Sequence, residues 1–398
     1  LISADEAQAI ILKNVGRLGS HRVDIWSAYG RVVDEDVHSD TDLPPFNRAA
    51  MDGYAVRSED VKTAPAALTL CGTVSAGTFS DLPVAAGTCM KIMTGGVVPE
   101  GADAVVKVED TTGPEEGMVE FRRTVSPGEN VAKRGEDVRK GEVVLERGSL
   151  IRGPEVAVCA SVGKTSLEVV EIPSVGVLPT GNEVVDPAEL PPYGKIRNSN
   201  GPMLFTLVQG AGCRAEYMGI APDSEDELRA AVRKGFEHDV LLLSGGVSMG
   251  EYDLIPDVLE KEGAVILFHR VRVKPGKPLL FARKEGCMIF GVPGNPVSNF
   301  TTFFLFIRPA LLKLMGRADY LPNRIDAVLG REFTYRSDRE LVVPSFYMVT
   351  GGIPSFTPSS LNGSADIAGC VGVNSLAMFP EGSHTVARGE RVSVLLID

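Results

Sequence analysis

The sequence predicts a multidomain protein of the α/β plus β class: a central doubly wound, mostly parallel sheet domain, an inserted β-rich domain ahead of it, and a C-terminal β domain. Three observations lead there. Between residues 173 and 314 short apolar strand patterns alternate with helical ones, the mark of βαβ units. Three of those strands run straight into glycine-rich turns: Pro179-Thr180-Gly181-Asn182-Glu183, Ser244-Gly245-Gly246-Val247-Ser248 and Val292-Pro293-Gly294-Asn295-Pro296. On both sides of this region the pattern changes to short β-rich runs broken by glycine and proline. The chain divides accordingly into residues 1–42 with 146–172 as a discontinuous first domain, 43–145, 173–318 and 319–398.

The elements follow in order. Ser3, Ala4, Asp5 and Glu6 form a capping box, and Ala7, Ile10, Ile11 and Val15 recur at helical spacing, so an amphipathic helix opens the chain. Strands are expected at 68–74, 87–93 and 104–108 in the inserted domain. Residues 151–160 read as strand or helix and return the chain to its first segment. Then come a strand at 175–178, a helix at 202–210, a strand at 214–220 and a helix at 225–236 with Asp223 as its N-cap. The fully apolar 240–243 reads as a buried strand. A helix at 254–261, strands at 265–273 and 288–292, and a long helix over 297–314 complete the α/β region. Alternating segments such as 391–397 close the chain as β.

Composition bounds the function. The 398 residues are 44% hydrophobic and 23% charged, enough for several full cores. A net charge of -12 excludes a broad electrostatic footprint for nucleic acid or an acidic membrane surface. Cys71, Cys89, Cys159, Cys213, Cys287 and Cys370 contain no C-x-x-C pair, which points to reduced, buried thiols in a cytoplasmic protein. The apolar runs at 239–243 and 300–307 are too short to span a bilayer, and the capped opening helix is no signal peptide. Five scattered histidines offer no triad or metal spacing, so electrostatic and metal catalysis is favoured over covalent catalysis.

The chemistry collects at one edge. Parallel strands deliver their following turns to the same end of the sheet, where such sheets bind ligands. Glycine backbones with N-H groups aimed outward suit an anionic, phosphorylated ligand, which makes Gly181, Ser244, Gly245, Gly246, Ser248, Pro293 and Asn295 binding candidates. Arg270, Arg272 and Lys274 share a strand face, and the rigid turn Lys274-Pro275-Gly276-Lys277-Pro278 fixes two ammonium groups suited to a phosphate or oxometalate dianion. Glu183, Asp223, Glu251 and Asp253 crowd the same edge, and carboxylates beside a phosphate site commonly hold Mg²⁺ through one or two of their number. The loop 43–56, with Asn47, Arg48, Asp52 and Tyr54, suits a ligand edge supplied to another domain or subunit.

Seven motifs, in order P-P-F-N-R-A-A-M-D-G-Y-A (44–55), M-T-G-G (93–96), R-G-E-D (134–137), P-T-G-N-E (179–183), S-G-G-V-S-M-G (244–250), K-P-G-K-P (274–278) and G-V-P-G-N-P-V-S (291–298), closely resemble the MoeA family, whose eukaryotic relatives include the gephyrin E domain. The resemblance spans the chain. It implies an elongated homodimer with its active site between the α/β domain of one subunit and the β domains of the other. It also implies molybdenum insertion into adenylylated molybdopterin, with molybdate as co-substrate, Mg²⁺ as cofactor and AMP released. By motif, Asp52, Thr94, Asp137, Glu183, Asp223 and Asp253 fall on functional acidic or polar positions, with Glu183, Asp223 and Asp253 as metal ligands. Lys274, Lys277 and Ser298 fall where molybdate or phosphate is met, and Arg339 and Ser364 are approximate counterparts of the family's oxyanion-holding arginine and serine. Val342, Val343 and Pro344 stand where the family carries a second arginine. Molybdopterin adenylyltransferase and molybdoenzymes are the implied transient partners. Alternatives are adenylyl transfer itself, disfavoured because the turn reads S-G-G-V-S rather than T-G-G-T-G, tungstate-specific insertion, and a non-catalytic scaffold.

Overall fold

The computed structural model describes residues 1–247 and 254–397, so Ser248, Glu251 and Asp253 lie outside the described residues. The central sheet has six strands: β1 (Ser174–Pro179), β2 (Arg214–Tyr217), β3 (Val240–Ser244), β4 (Val265–Phe268), β5 (Leu280–Lys284) and β6 (Cys287–Val292). Their order is β2-β1-β3-β6-β5-β4. The first four neighbours are parallel, while β5 is antiparallel to both β6 and β4. The sequence shows β5 poorly, because its apolar run follows a lysine- and proline-rich turn. Side chains alternate between two cores. Val175, Val177, Val240, Leu242 and Phe290 face helices Asn200–Gly210 and 296–314, and Leu178, Leu241, Leu243 and Ile289 face helices Glu225–Gly235 and Ile255–Lys261. Each such side chain contributes about 1.5–3 kcal/mol by burial, and helices on both faces make the sheet doubly wound.

Helix Ala4–Lys13 forms with the expected capping box: the Glu6 amide donates to Ser3 Oγ at 3.1 Å and the Ser3 amide to Glu6 Oε2 at 2.8 Å. Ala4, Ala7 and Ile11 pack into the first core beside the long helix 296–314. That helix runs Pro296–Thr302, a π turn Phe303–Ile307, then Arg308–Leu314. Pro309 has no N-H for the Leu305 carbonyl four residues back. Gln8 Nε2 of the first helix donates to that carbonyl instead, at 3.0 Å.

Residues 151–160 resolve as helix Gly153–Ser161. Strand Ser20–Asp24 pairs antiparallel with Ser166–Val170, so the segments before and after the insert meet. The insert carries a six-stranded sheet in which Gly53–Val56 lies between Ala104–Lys107 and Thr88–Ile92, with Tyr54 and Phe121 packed edge to face in its core. At the other end Glu340–Thr350, Ile353–Pro358, Arg324–Leu329, Arg391–Leu396 and Ser375–Phe379 pair in a ring that closes on itself. Leu329, Phe356, Phe379 and Val394 fill this barrel, and closure removes the exposed strand edges an open sheet would have.

The expected single strand over 265–273 is broken. β4 ends at Phe268, Val271 bridges to Ile2, and Val273–Lys274 leaves the central sheet to pair in parallel with Glu340–Leu341 of the barrel. The alternation survives the break, with Val271 and Val273 buried and Arg272 and Lys274 exposed. The six cysteines are unbonded, and burial pushes the Cys89, Cys213 and Cys287 thiols up to about 12. No helix among the described residues is long and apolar enough to cross a membrane.

The two helices on the second face are joined by one carboxylate. Glu262 takes bonds from Arg229 Nε at 2.8 Å and from Arg233 Nε and NH2 at 2.6 and 3.0 Å. The two guanidinium groups hold its carboxyl at about 2, far below the ordinary 4.5. Glu262→Gln keeps the shape and removes the charge. The stability gap between wild type and variant should be full above pH 4.5 and shrink as pH falls toward 2, because the unfolded carboxylate takes up its proton first. Urea midpoints across that range check this, and a gap independent of pH would refute it.

Candidate functional site

Pro179, Ser244 and Val292 stand in one row across β1, β3 and β6. The three glycine turns therefore leave the sheet at the same level. The bonding continues past the strands: the Thr180 amide donates to the Ser244 carbonyl at 2.8 Å and the Gly245 amide to the Val292 carbonyl at 3.1 Å. Gly245 has φ +100°, and a Cβ there would lie 2.6 Å from the Thr180 carbonyl oxygen. Only glycine meets both conditions.

Two carboxamides bind these turns together from below. Asn200 Nδ2 donates to Ser244 Oγ at 3.0 Å and to the Gly294 carbonyl at 2.6 Å. Asn299 Nδ2 donates to the same Ser244 Oγ at 3.2 Å and to the Pro293 carbonyl at 2.6 Å. Ser244 is 2% exposed, so its hydroxyl serves the turns rather than facing the open edge. Asn200 Oδ1 and Asn299 Oδ1 are buried with no partner among the described residues. A buried acceptor left in that state costs about 1–3 kcal/mol.

At the first turn the Asn182 amide donates to Asp223 Oδ2 at 3.0 Å, and the Asp223 amide donates to Asn182 Oδ1 at 3.1 Å. Asp223 is therefore not the helix N-cap expected from the sequence. Ser224 holds that place, with φ -121° and ψ 126°, and the Asp223 carboxylate is drawn to the turn instead. The Glu183 carboxylate folds back over Gly181. Among the described residues no group of three or more His, Cys, Asp or Glu side chains is placed for a metal ion. Glu183 and Asp223 are two carboxylates at the mouth of a phosphate-type turn, a set that fits Mg²⁺ completed by substrate phosphates and water.

The second half of the site is a cavity of about 460 Å³ between the α/β domain and the barrel. The pairing of Val273–Lys274 with the barrel brings the K-P-G-K-P turn to its rim. Gly276 has φ +116° and a Cβ there would sit 2.8 Å from Thr302 Cγ2, so the turn lies tightly on the helix. Lys274, Lys277, Pro293, Asn295 and Ser298 line the cavity from one side and Arg339 and Ser364 from the other. Lys274 and Lys277 form no ion pair among the described residues, whereas Arg339 Nε donates to Asp338 Oδ1 at 3.0 Å. Asn295 Nδ2 donates to Ser364 Oγ at 2.9 Å, and the Val297 amide to the Ser364 carbonyl at 3.0 Å. Val297, Phe333, Leu341, Val343 and Leu361 supply an apolar wall. Three cations and two hydroxyls around a half-dry space suit a tetrahedral dianion.

Asp52, Thr94 and Asp137 do not line this cavity. Asp52 Oδ1 accepts from the Thr94 amide at 2.6 Å and the Thr94 hydroxyl at 2.7 Å, bonds that hold its carboxyl below the usual range. Asp137 is exposed, its amide donating to the Leu43 carbonyl at 3.0 Å. Arg272, expected beside Lys274, pairs with Glu381 at 3.6 Å. The sequence reading missed Asn200, Asn299 and Phe333. The signals available were Asn198-Ser199-Asn200 at a helix start and Asn299 directly after the last glycine-turn motif.

Gly245→Ala should lower stability by about 1–3 kcal/mol through backbone strain and contact with Thr180. Gly286→Ala, where a Cβ meets nothing within 4 Å, serves as the control and should be near neutral. Equal denaturation midpoints for the two variants would contradict the proposed crowding of the turns.

Comparison with known proteins places the chain among recognised relatives. Residues 2–163 match the family profile described as the MoeA N-terminal region (domain I and II), and residues 176–313 match the probable molybdopterin binding domain. A molybdopterin molybdenumtransferase of Staphylococcus epidermidis is 31% identical over 402 residues, covering 100% of this chain and 96% of the relative. One from Staphylococcus aureus is 32% identical with the same coverage. The crystal structure of the molybdopterin biosynthesis moeA protein from Pyrococcus horikoshii OT3 superposes with a TM-score of 0.85 at 32% identity, covering 100% of both chains.

Proposed function

The chain belongs to the MoeA family, the molybdopterin molybdenumtransferases of molybdenum cofactor biosynthesis, and from that premise we propose that it converts adenylylated molybdopterin and molybdate to molybdenum cofactor and AMP. The observation that carries this reading is the cavity where Lys274, Lys277, Ser298, Arg339 and Ser364 converge beside the glycine turns. The cations neutralise the oxyanion, and the hydroxyls and Asn295 give it a fixed orientation. The apolar wall thins the water around it and strengthens the attraction of the lysines.

In this reading the turns hold the adenylyl phosphate through backbone N-H groups. Lys274 and Lys277 then stabilise the charge that develops as water opens the phosphoanhydride to give AMP and the pterin phosphate, while the dithiolene sulfurs displace oxo groups of molybdate, which take up protons and leave as water. Glu183 and Asp223 would hold Mg²⁺, which when bound offsets phosphate charge as a Lewis acid. Asp253 is assigned to the same ion from its motif. Asp52, Thr94 and Asp137 act on the cavity of the partner subunit in a homodimer, which accounts for a carboxylate bonded to a threonine hydroxyl lying away from the cavity of its own chain. The setting is cytoplasmic, with a molybdopterin adenylyltransferase supplying the substrate and molybdoenzymes receiving the product.

Purified protein given adenylylated molybdopterin and Mg²⁺ should release AMP in proportion to added molybdate. Folded protein that releases none would sink the reading, and tungstate in the same assay decides the oxyanion. Lys274→Ala should lower turnover by roughly a hundredfold with folding intact, and Asp52→Ala should lower it as well. Mixed dimers of the two variants should recover activity that neither has alone, since one of the two shared sites is then intact. No recovery on subunit exchange would place Asp52 outside the cavity of its partner.

A further inference from the structure

Asn200 and Asn299 have no role in the reading above, yet they sit where its two halves join. They stand on separate elements, Asn200 at the start of helix Asn200–Gly210 and Asn299 inside Pro296–Thr302. Each uses its amide nitrogen twice, once on the shared Ser244 hydroxyl and once on a carbonyl of the third turn. Asn299 is 0% exposed, and both carboxamide oxygens are buried without a partner among the described residues. A position selected for packing alone would be apolar, and one selected for stability would pair that oxygen. What the two amides secure is the direction of two successive carbonyls, those of Pro293 and Gly294. From there the bonds continue through Asn295 Nδ2 to Ser364 Oγ, on the barrel side of the cavity.

We propose that Asn200 and Asn299 are positioning residues that set the spacing between the glycine turns, which hold the nucleotide part of the substrate, and the lysine cavity, which holds the oxyanion. The inference rests on the cavity reading given under the proposed function. Two reacting anions held by different domains react only at a fixed separation, and a shift of about 1 Å can lower the rate by roughly a hundredfold. The clamp acts on the backbone of the turn and leaves the cations of the cavity untouched. It therefore governs turnover more than oxyanion affinity.

The test compares Asn200→Ala, Asn299→Ala and the double variant with wild type by melting temperature, by kcat and KM for molybdate in AMP release, and by equilibrium binding of AMP. The melting temperature should fall by several degrees, because each alanine leaves a turn carbonyl without its donor, so kcat is read per folded molecule. The KM for molybdate should change by less than about threefold, while kcat per folded molecule falls about tenfold or more. AMP should bind several-fold more weakly, and the double variant should be little worse than the poorer single one, since both amides act on one turn. A lowered melting temperature with kcat unchanged would make the pair merely structural and overturn the proposal, as would a raised KM at constant kcat. Wild type without molybdate-dependent AMP release would instead sink the reaction assigned above. AMP binding then decides the positioning role alone: weaker in the variants supports it, unchanged overturns it.

Discussion

The register of three parallel strands is the constraint on which the site depends. Pro179, Ser244 and Val292 share one row, and lateral backbone bonds carry that alignment into the turns beyond. A slip of one residue in any of the three would turn its side chains to the opposite core, placing Leu241 or Ile289 where Val240 or Phe290 belongs. The two apolar cores therefore enforce the level at which the glycines emerge. The turns have little freedom of their own because the packing beneath them has none.

A second tie brings the lysine half of the site to that edge. Val273 and Lys274 pair with the barrel, and this short pairing carries the lysine turn from one domain to the other. The barrel answers with Ser364, which receives Asn295 and the Val297 amide. The cavity is thus bounded by two independent crossings between the same pair of domains. Its apolar wall comes mostly from the barrel, with Phe333, Leu341, Val342 and Val343. The cationic charge is concentrated on the α/β side as a result.

Local signals were legible in the sequence and distant pairings were not. The capping box at Ser3 and Glu6, the buried run at Val240–Ser244 and the glycine turns each depend on residues a few positions apart, and each is found where expected. Lys274, Lys277, Asn295, Ser298, Arg339 and Ser364 could be gathered as candidates by motif, and the fold brings them to one cavity. The failures share a cause. The break in the strand after Phe268 comes from Glu340–Leu341 far along the chain, and Asp223 leaves its capping role because Asn182 is next to it in space, not in sequence. Asn200 and Asn299 look like ordinary helix residues until Ser244 is placed between them.

The bond from Gln8 to the Leu305 carbonyl joins residues 297 positions apart. Its partner helix also needs Ala4, Ala7 and Ile11 as one wall of its core. The α/β region is contiguous in sequence but not self-sufficient in folding. During synthesis helix Ala4–Lys13 emerges well before helix 296–314 and has to wait for it before either can bury its apolar face. Contacts of such long range close slowly, so the central domain is completed late, by a segment that lies far upstream of it in the chain.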